Sequence, residues 1–116
     1  IMLAKRYRLT KRGSFAYVYK KGETARGKHF TLVFVRGKDA PRIGVSVGNK
    51  VGHAVVRNKL KRRIRAVIGS KIRAIKPCQA IVAAKKDAAG LTFAEVESEI
   101  CSLIAKSNLA IDEKKD

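Results

Sequence analysis

Residues 55–68 read VVRNKLKRRIRAVI. Within this stretch the nine positions from Arg57 to Arg65 carry six basic side chains and one asparagine, interrupted only by Leu60 and Ile64, four apart. At roughly 100° per residue, Val56, Leu60, Ile64, Val67 and Ile68 gather on one face of a helix. Arg57, Asn58, Lys61, Arg62 and Arg65 spread over the opposite face. Lys59 and Arg63 fall nearer the apolar edge, where their stems can lie on a core while their charges reach out. The pattern predicts a helix from about His53 or Ala54 to Ile68. One face anchors it, and the other offers a dense set of donors to something acidic.

Upstream, residues 2 to 9 are basic and expected to be irregular. Thr10 as N-cap and Gly22 just past the end bracket a short helix, with Phe15, Val18 and Tyr19 as its apolar stripe. Gly22 to Gly27 reads as a turn. His29 to Val35 alternates, Phe30, Leu32 and Phe34 to one side and Thr31, Val33 and Val35 to the other, which is a strand with two unlike faces. Gly37 to Pro41 reads as a hairpin loop. Arg42 to Val47 is a second strand, with Ile43, Val45 and Val47 on one face and Arg42, Gly44 and Ser46 on the other. Gly48 to Gly52 is a basic loop with room for a further short strand.

Downstream, Gly69 to Pro77 is a basic connection, and Ala80 to Ala84 a short apolar strand. Asp87 to Gly90 turns the chain, and Thr92 with Glu95 forms a capping-box pattern at the start of a last helix running to about Ser107. Phe93, Val96, Ile100, Leu103 and Ile104 are its buried stripe, with Glu95 and Glu99 facing out. Residues 1–8 and 108–116 are expected to be loosely held. The element order α-β-β-β-α-β-α, with the basic helix crossing between strands of one sheet, predicts a single α+β domain built as a two-layer sandwich.

The chain has 116 residues and a net charge of +18, from 27 Lys and Arg against 9 Asp and Glu. An excess of this size repels itself in a compact state and points to a polyanionic partner. Nucleic acid is the first candidate and an anionic membrane surface the second. No apolar run approaches the ~18–20 residues of a membrane span, and no signal-peptide pattern opens the chain. Cys78 and Cys101 sit apart in apolar, alanine-rich settings and read as free thiols in a reducing compartment.

Surface helices ordinarily mix both signs of charge, yet residues 50 to 76 contain no acidic residue. Arg57 and Asn58 beside Lys61, Arg62 and Arg65 suit phosphate oxygens and 2′-hydroxyls. Phe15, Tyr17 and Tyr19 read either as core or, on a short basic helix, as stacking partners for unpaired bases. Thr31, Val33 and Ser46 would then floor the cleft. Catalytic signals are absent: His29 and His53 lie in different elements, with no Cys or carboxylate at ligand spacing. Glu95 and Glu99 read as a solvated face. No nucleophile triad and no phosphate-cradling glycine loop occurs, so the chain reads as a binder.

The run GVSVGNKVGHAVVRNKLKRRIR (44–65) closely resembles the protein subunit of bacterial ribonuclease P, and the likeness extends upstream to RLTKRGSFAYVYKKGETARGKHFTLVF and downstream to AIVAAKKDA and the final helix. The family's arginine-asparagine-arginine-type motif reads here Arg57, Asn58, Lys59, then Lys61, Arg62 and Arg65. Lys59 stands where arginine is common, which keeps the charge but loses the fork. Gly48 and Asn49 stand where Ser-Lys is usual, and Lys85 where arginine is common.

The resemblance implies a bacterial cytoplasmic subunit joined to a large catalytic RNA. That RNA holds the Mg²⁺ and removes the 5′ leader of precursor tRNA, while the protein binds no cofactor, metal or small-molecule substrate of its own. It implies that Arg57, Asn58, Lys59, Lys61, Arg62 and Arg65 meet the catalytic RNA. Phe15, Tyr19, Thr31, Val33 and Ser46 line a cleft for the single-stranded leader, with Lys11 and Lys50 at its rim. It also implies a left-handed β-α-β crossover in a ribosomal protein S5 domain 2-like fold, against the usual right-handed rule. Two other readings remain open from the residues: a general RNA-binding or ribosomal-type protein of similar fold, and a stand-alone metal-dependent nuclease.

Overall fold

The computed structural model describes residues 3–111. Three helices, α1 (Arg12–Lys21), α2 (Ala54–Lys71) and α3 (Phe93–Lys106), accompany four strands, β1 (Glu23–Arg26), β2 (Phe30–Arg36), β3 (Arg42–Ser46) and β4 (Cys78–Ala84). The element order is α-β-β-β-α-β-α, as expected, but the third strand is not where the sequence suggested. Residues 49–51 form a 3₁₀ turn, whereas the stretch read as a turn, 22–27, holds β1. Its four residues, Glu-Thr-Ala-Arg, bury only Ala25, too short an alternation to stand out against the flanking glycines.

The sheet order is β1-β2-β4-β3, with β1–β2 and β2–β4 antiparallel and β3–β4 parallel. Residues 37–41 therefore do not close a hairpin, because β4 lies between β2 and β3. The β3–β4 pair is parallel and needs a crossover, and α2 provides it.

The inner face of the sheet carries Ala25, Phe30, Leu32, Phe34, Ile43, Ala80 and Val82 in one cluster with the apolar faces of α2 and α3. On α2, Leu60, Ile64, Val67 and Ile68 are buried, which at about 1.5–3 kcal/mol per large aliphatic side chain makes this helix a principal anchor of the core. On α3, Val96, Ile100, Leu103 and Ile104 are buried and the Thr92–Glu95 capping box forms as expected. Phe93, placed in that stripe by its spacing, is exposed. It is the first residue of the helix, ahead of the turn that meets the core. Glu99 is not a solvated carboxylate either. It accepts the backbone N–H groups of His29 and Phe30 and pairs with His29 Nδ1 at 2.8 Å.

Parts of residues 3–8 and 108–111 pack onto the domain. Leu3 is fully buried and Arg8 bridges to Ile43 of β3. After α3, Asn108 takes a left-handed φ of 59°. That turn sends Leu109 into the core, and Ala110 bridges to Ile75. The expectations for residues 1, 2 and 112–116 lie outside the described residues. Cys78 is buried and Cys101 half-buried, both as free thiols. No described helix is long and apolar enough to cross a membrane.

Candidate nucleic-acid interface

The outer face of the sheet carries α1. Val18 packs with Leu9, Val33 and Ile81 in a second, smaller cluster, against which Phe15 and Val35 lie half-buried. The helix begins at Arg12 with Lys11 as its N-cap, one residue later than Thr10, and no side chain caps it. Strand register sets what it covers. One row across the sheet reads Thr24, Val33, Ile81 and Gly44, and the next reads Arg26, Thr31, Ala83 and Ser46. Val18 and Phe15 sit over the first row. The second row has no buried residue; the row on the other side, Val35, Gln79 and Arg42, has none either, but there Val35 packs against the cluster under α1, so the Thr31–Ala83–Ser46 row is the more open floor.

Gly44 lets Phe15 sit where it does. A Cβ at that position would lie 2.5 Å from Phe15 Cζ, well inside any tolerated contact. The ring therefore lies flush against bare backbone at the edge of a cleft of about 240 Å³, lined also by Arg8, Thr10 and Arg65.

The residues picked from the sequence for this cleft separate into three groups. Thr31 and Ser46 are partly open on the uncovered row, and Phe15 lies half-buried on Gly44 in the row beside it. Tyr19, expected in the buried stripe, is half-exposed, and Lys11 and Lys50 are exposed. Val33 is a correction: it keeps only 7 % of its surface and is part of the packing beneath α1, not cleft floor.

On α2, Asn58, Lys59 and Arg62 are exposed and Lys61 half-exposed. Lys59 was expected at the apolar edge and instead stands clear of it. Arg57 Nε donates to the Gly52 carbonyl at 3.2 Å, which leaves the rest of its fork free while fixing the stem. Arg63 turns the other way, its Nη1 donating to the Leu91 carbonyl at 2.7 Å, and ties α2 to the start of α3.

Arg65 belongs to both surfaces. It sits on α2 yet lines the cleft beside Phe15. Burial, and then the adjacent Arg8 guanidinium, lower its pKa from the usual arginine value. Two guanidinium groups this close would be costly without an anion between or beside them. Arg8, which donates through Nε to the Leu3 carbonyl at 2.9 Å, was missed in the sequence because it lies in a segment read as irregular.

Among the described residues the ion pairs are His29–Glu99 and Arg36–Glu23, and neither touches α2. The basic face from Arg57 to Arg65 thus has no carboxylate of its own to neutralise it. Among the described residues no three His, Cys, Asp or Glu side chains come close enough together to hold a metal ion.

Residues 3–108 match the family model for ribonuclease P. The ribonuclease P protein component of Bacillus velezensis is 36 % identical over 112 residues, covering 92 % of this chain and 94 % of that protein. The corresponding protein of Bacillus pumilus is 38 % identical over 110 residues, covering 90 % and 91 %. The structure of the Staphylococcus aureus RNase P protein superposes with a TM-score of 0.84 at 29 % identity, covering 90 % of this chain and 97 % of that one. With its sheet order, its uncompensated basic helix and a match along nearly all its length, the chain belongs to the ribonuclease P protein family.

Proposed function

We propose that this chain is the non-catalytic protein subunit of an RNA-based endoribonuclease of the bacterial cytoplasm. One surface, α2 from Arg57 to Arg62, docks on the phosphates of the catalytic RNA. The other, the open row of Thr31, Ala83 and Ser46 beside Phe15, holds the single-stranded 5′ leader of precursor tRNA. Hydrolysis and its Mg²⁺ stay with the RNA, and the protein binds no cofactor. The observation that carries this reading is the carboxylate-free basic face of α2 lying beside a cleft with a half-buried aromatic at its edge. Arg65, which faces the cleft, joins the two surfaces. A cation placed between two RNAs lowers their mutual repulsion, so less Mg²⁺ is needed to bring them together.

The test is reconstitution with the catalytic RNA at low Mg²⁺. Leader removal should be much faster with the protein than without it. An unchanged rate would leave only a general RNA-binding protein. Phe15→Ala should weaken binding of leader-bearing substrate by about 1–3 kcal/mol if the ring stacks a base, and leave mature tRNA unaffected. Equal losses for both would return Phe15 to a packing role.

A further inference from the structure

The turn joining β1 to β2 is held from behind by three side chains. Glu99 of α3 accepts the N–H groups of both His29 and Phe30, the latter at 2.8 Å. Lys106 Nζ, at the end of the same helix, donates to the Arg26 carbonyl at 3.2 Å. Lys85 Nζ, just past β4, donates to the Gly27 carbonyl at 2.7 Å. The turn closes on itself through the Gly27 N–H to the Phe30 carbonyl at 2.8 Å. A Cβ on Gly27 would fall 2.7 Å from Glu99 Oε2, so the missing side chain is what lets the carboxylate reach the backbone.

All of this fixes main chain, and it leaves the side chains of Arg26 and Lys28 unused, of which only Arg26 belongs to a strand. Arg26 is exposed and makes no ion pair among the described residues. Ala25 points into the core, so alternation sends Arg26 to the outer face. There the register sets it opposite Thr31, at the end of the open row that continues through Ala83 to Ser46. It is the one charged residue of that row. Three strand spacings separate it from Ser46, about 14 Å.

We propose that Arg26 is a phosphate contact for the far part of the leader, and that Glu99 and Lys106 are positioning residues that hold it at the β1 end of the row. This rests on the reading of that row as the leader path. The order along the path follows from α2. Arg65 and Phe15 meet at the β3 end, so the catalytic RNA lies on that side and β1 is the end reached last by a leader extending away from it. A guanidinium on an immobilised backbone loses less freedom on binding than one on a mobile loop, and its fork suits phosphate oxygens.

The test is a series of precursor tRNAs whose leaders grow one nucleotide at a time, bound to holoenzyme carrying wild-type, Arg26→Ala, Arg26→Lys or Phe15→Ala protein. Wild-type affinity should rise again once the leader spans the row. Arg26→Ala should lose that second rise, about three- to tenfold. The slope of log affinity against log salt should become shallower by about 0.7 for long leaders only. Arg26→Lys should keep part of the rise. Glu99→Ala should lose it while short-leader and catalytic-RNA binding hold, and Glu99→Gln, which keeps an oxygen for the two N–H groups, should restore most of it.

Wild-type behaviour of Arg26→Ala at every length would overturn the proposal, as would an equal loss at every length with mature tRNA included. If Phe15→Ala still loses leader affinity in either case, the cleft reading survives and only the role of Arg26 falls. If Phe15→Ala is also indifferent to the leader, both fall together.

Discussion

Replacing Gly44 by alanine puts the packing of Phe15 directly in question. The new Cβ would stand 2.5 Å from Cζ and 3.1 Å from both Cε atoms of the ring. Carbon atoms settle near 3.5–4.0 Å, so the ring must withdraw by about 1 Å. Gly44 lies mid-strand in β3, whereas the ring is half-buried and borders the cleft. The ring is therefore the part that moves. Overpacking of this kind costs about 1–3 kcal/mol. The low half of that range applies, because the ring tip has open space to enter, and it corresponds to a fall in Tm of roughly 5–10 °C.

Without the ring the sign should reverse. In a Phe15→Ala background, Gly44→Ala meets no clash and removes a glycine's excess unfolded-state freedom, a gain of about 0.5–1 kcal/mol. The assay is a double-mutant cycle by urea unfolding at fixed salt and anion, since a chain of net charge +18 is sensitive to both. The expected coupling is about 1.5–3 kcal/mol. If Gly44→Ala costs the same in both backgrounds, Phe15 does not lie on Gly44 and the placement of α1 is wrong.

Glu99→Gln tests the clasp behind the β1–β2 turn. Burial raises the Glu99 pKa, but the His29 and Phe30 N–H groups and the His29 ring more than offset this and hold it below the ordinary 4.5. A depressed folded-state pKa gives stability that is present above about 4.5 and lost as the pH falls through the folded value. Urea unfolding should therefore show wild type and Glu99→Gln differing most near pH 7 and drawing together as the pH falls below the ordinary carboxylate range, whereas a constant gap would remove the carboxylate charge from the explanation. Arg62→Ala should weaken binding to the catalytic RNA and make its salt dependence shallower by about one phosphate's worth, ~0.7–0.9 in slope; filter binding across a salt series checks this, and an unchanged slope would take Arg62 off the phosphates. Burial pushes the Cys78 thiol up to about 11 despite the opposing pull of Arg36, so native Cys78 should be alkylated at pH 8 at least a hundredfold more slowly than in urea. Mass-spectrometric labelling at equal rates in both states would contradict a buried β4.

What was legible followed from long periodic segments. The anchoring face of α2 emerged residue by residue, because Leu60, Ile64, Val67 and Ile68 repeat at helical spacing over several turns. The two unlike faces of β2 were equally plain, since seven alternating residues leave little choice of period. Short or irregular pieces were not legible. β1 has four residues and one buried side chain, and no pattern that brief stands out from a turn. Val33 was misplaced for a different reason: alternation says which face a residue takes, not which part of that face a helix covers. Arg8 and Glu99 owe their surroundings to partners 57 and 70 residues away, at Arg65 and His29. Nothing local marks such pairs. The wrong hairpin at 37–41 has the same origin, because only the late strand β4 decides that β2 and β3 are kept apart.

That late strand governs how the polypeptide comes into being. While a ribosome has released the chain only as far as Pro77, both neighbours of the missing strand have been made and each still lacks it along one edge. Each presents an open edge to other chains during that interval. Most of the nascent chain's positive charge has by then already emerged. Unfinished copies that each carry this charge repel one another at low salt, which opposes edge-to-edge pairing until the last strand is made.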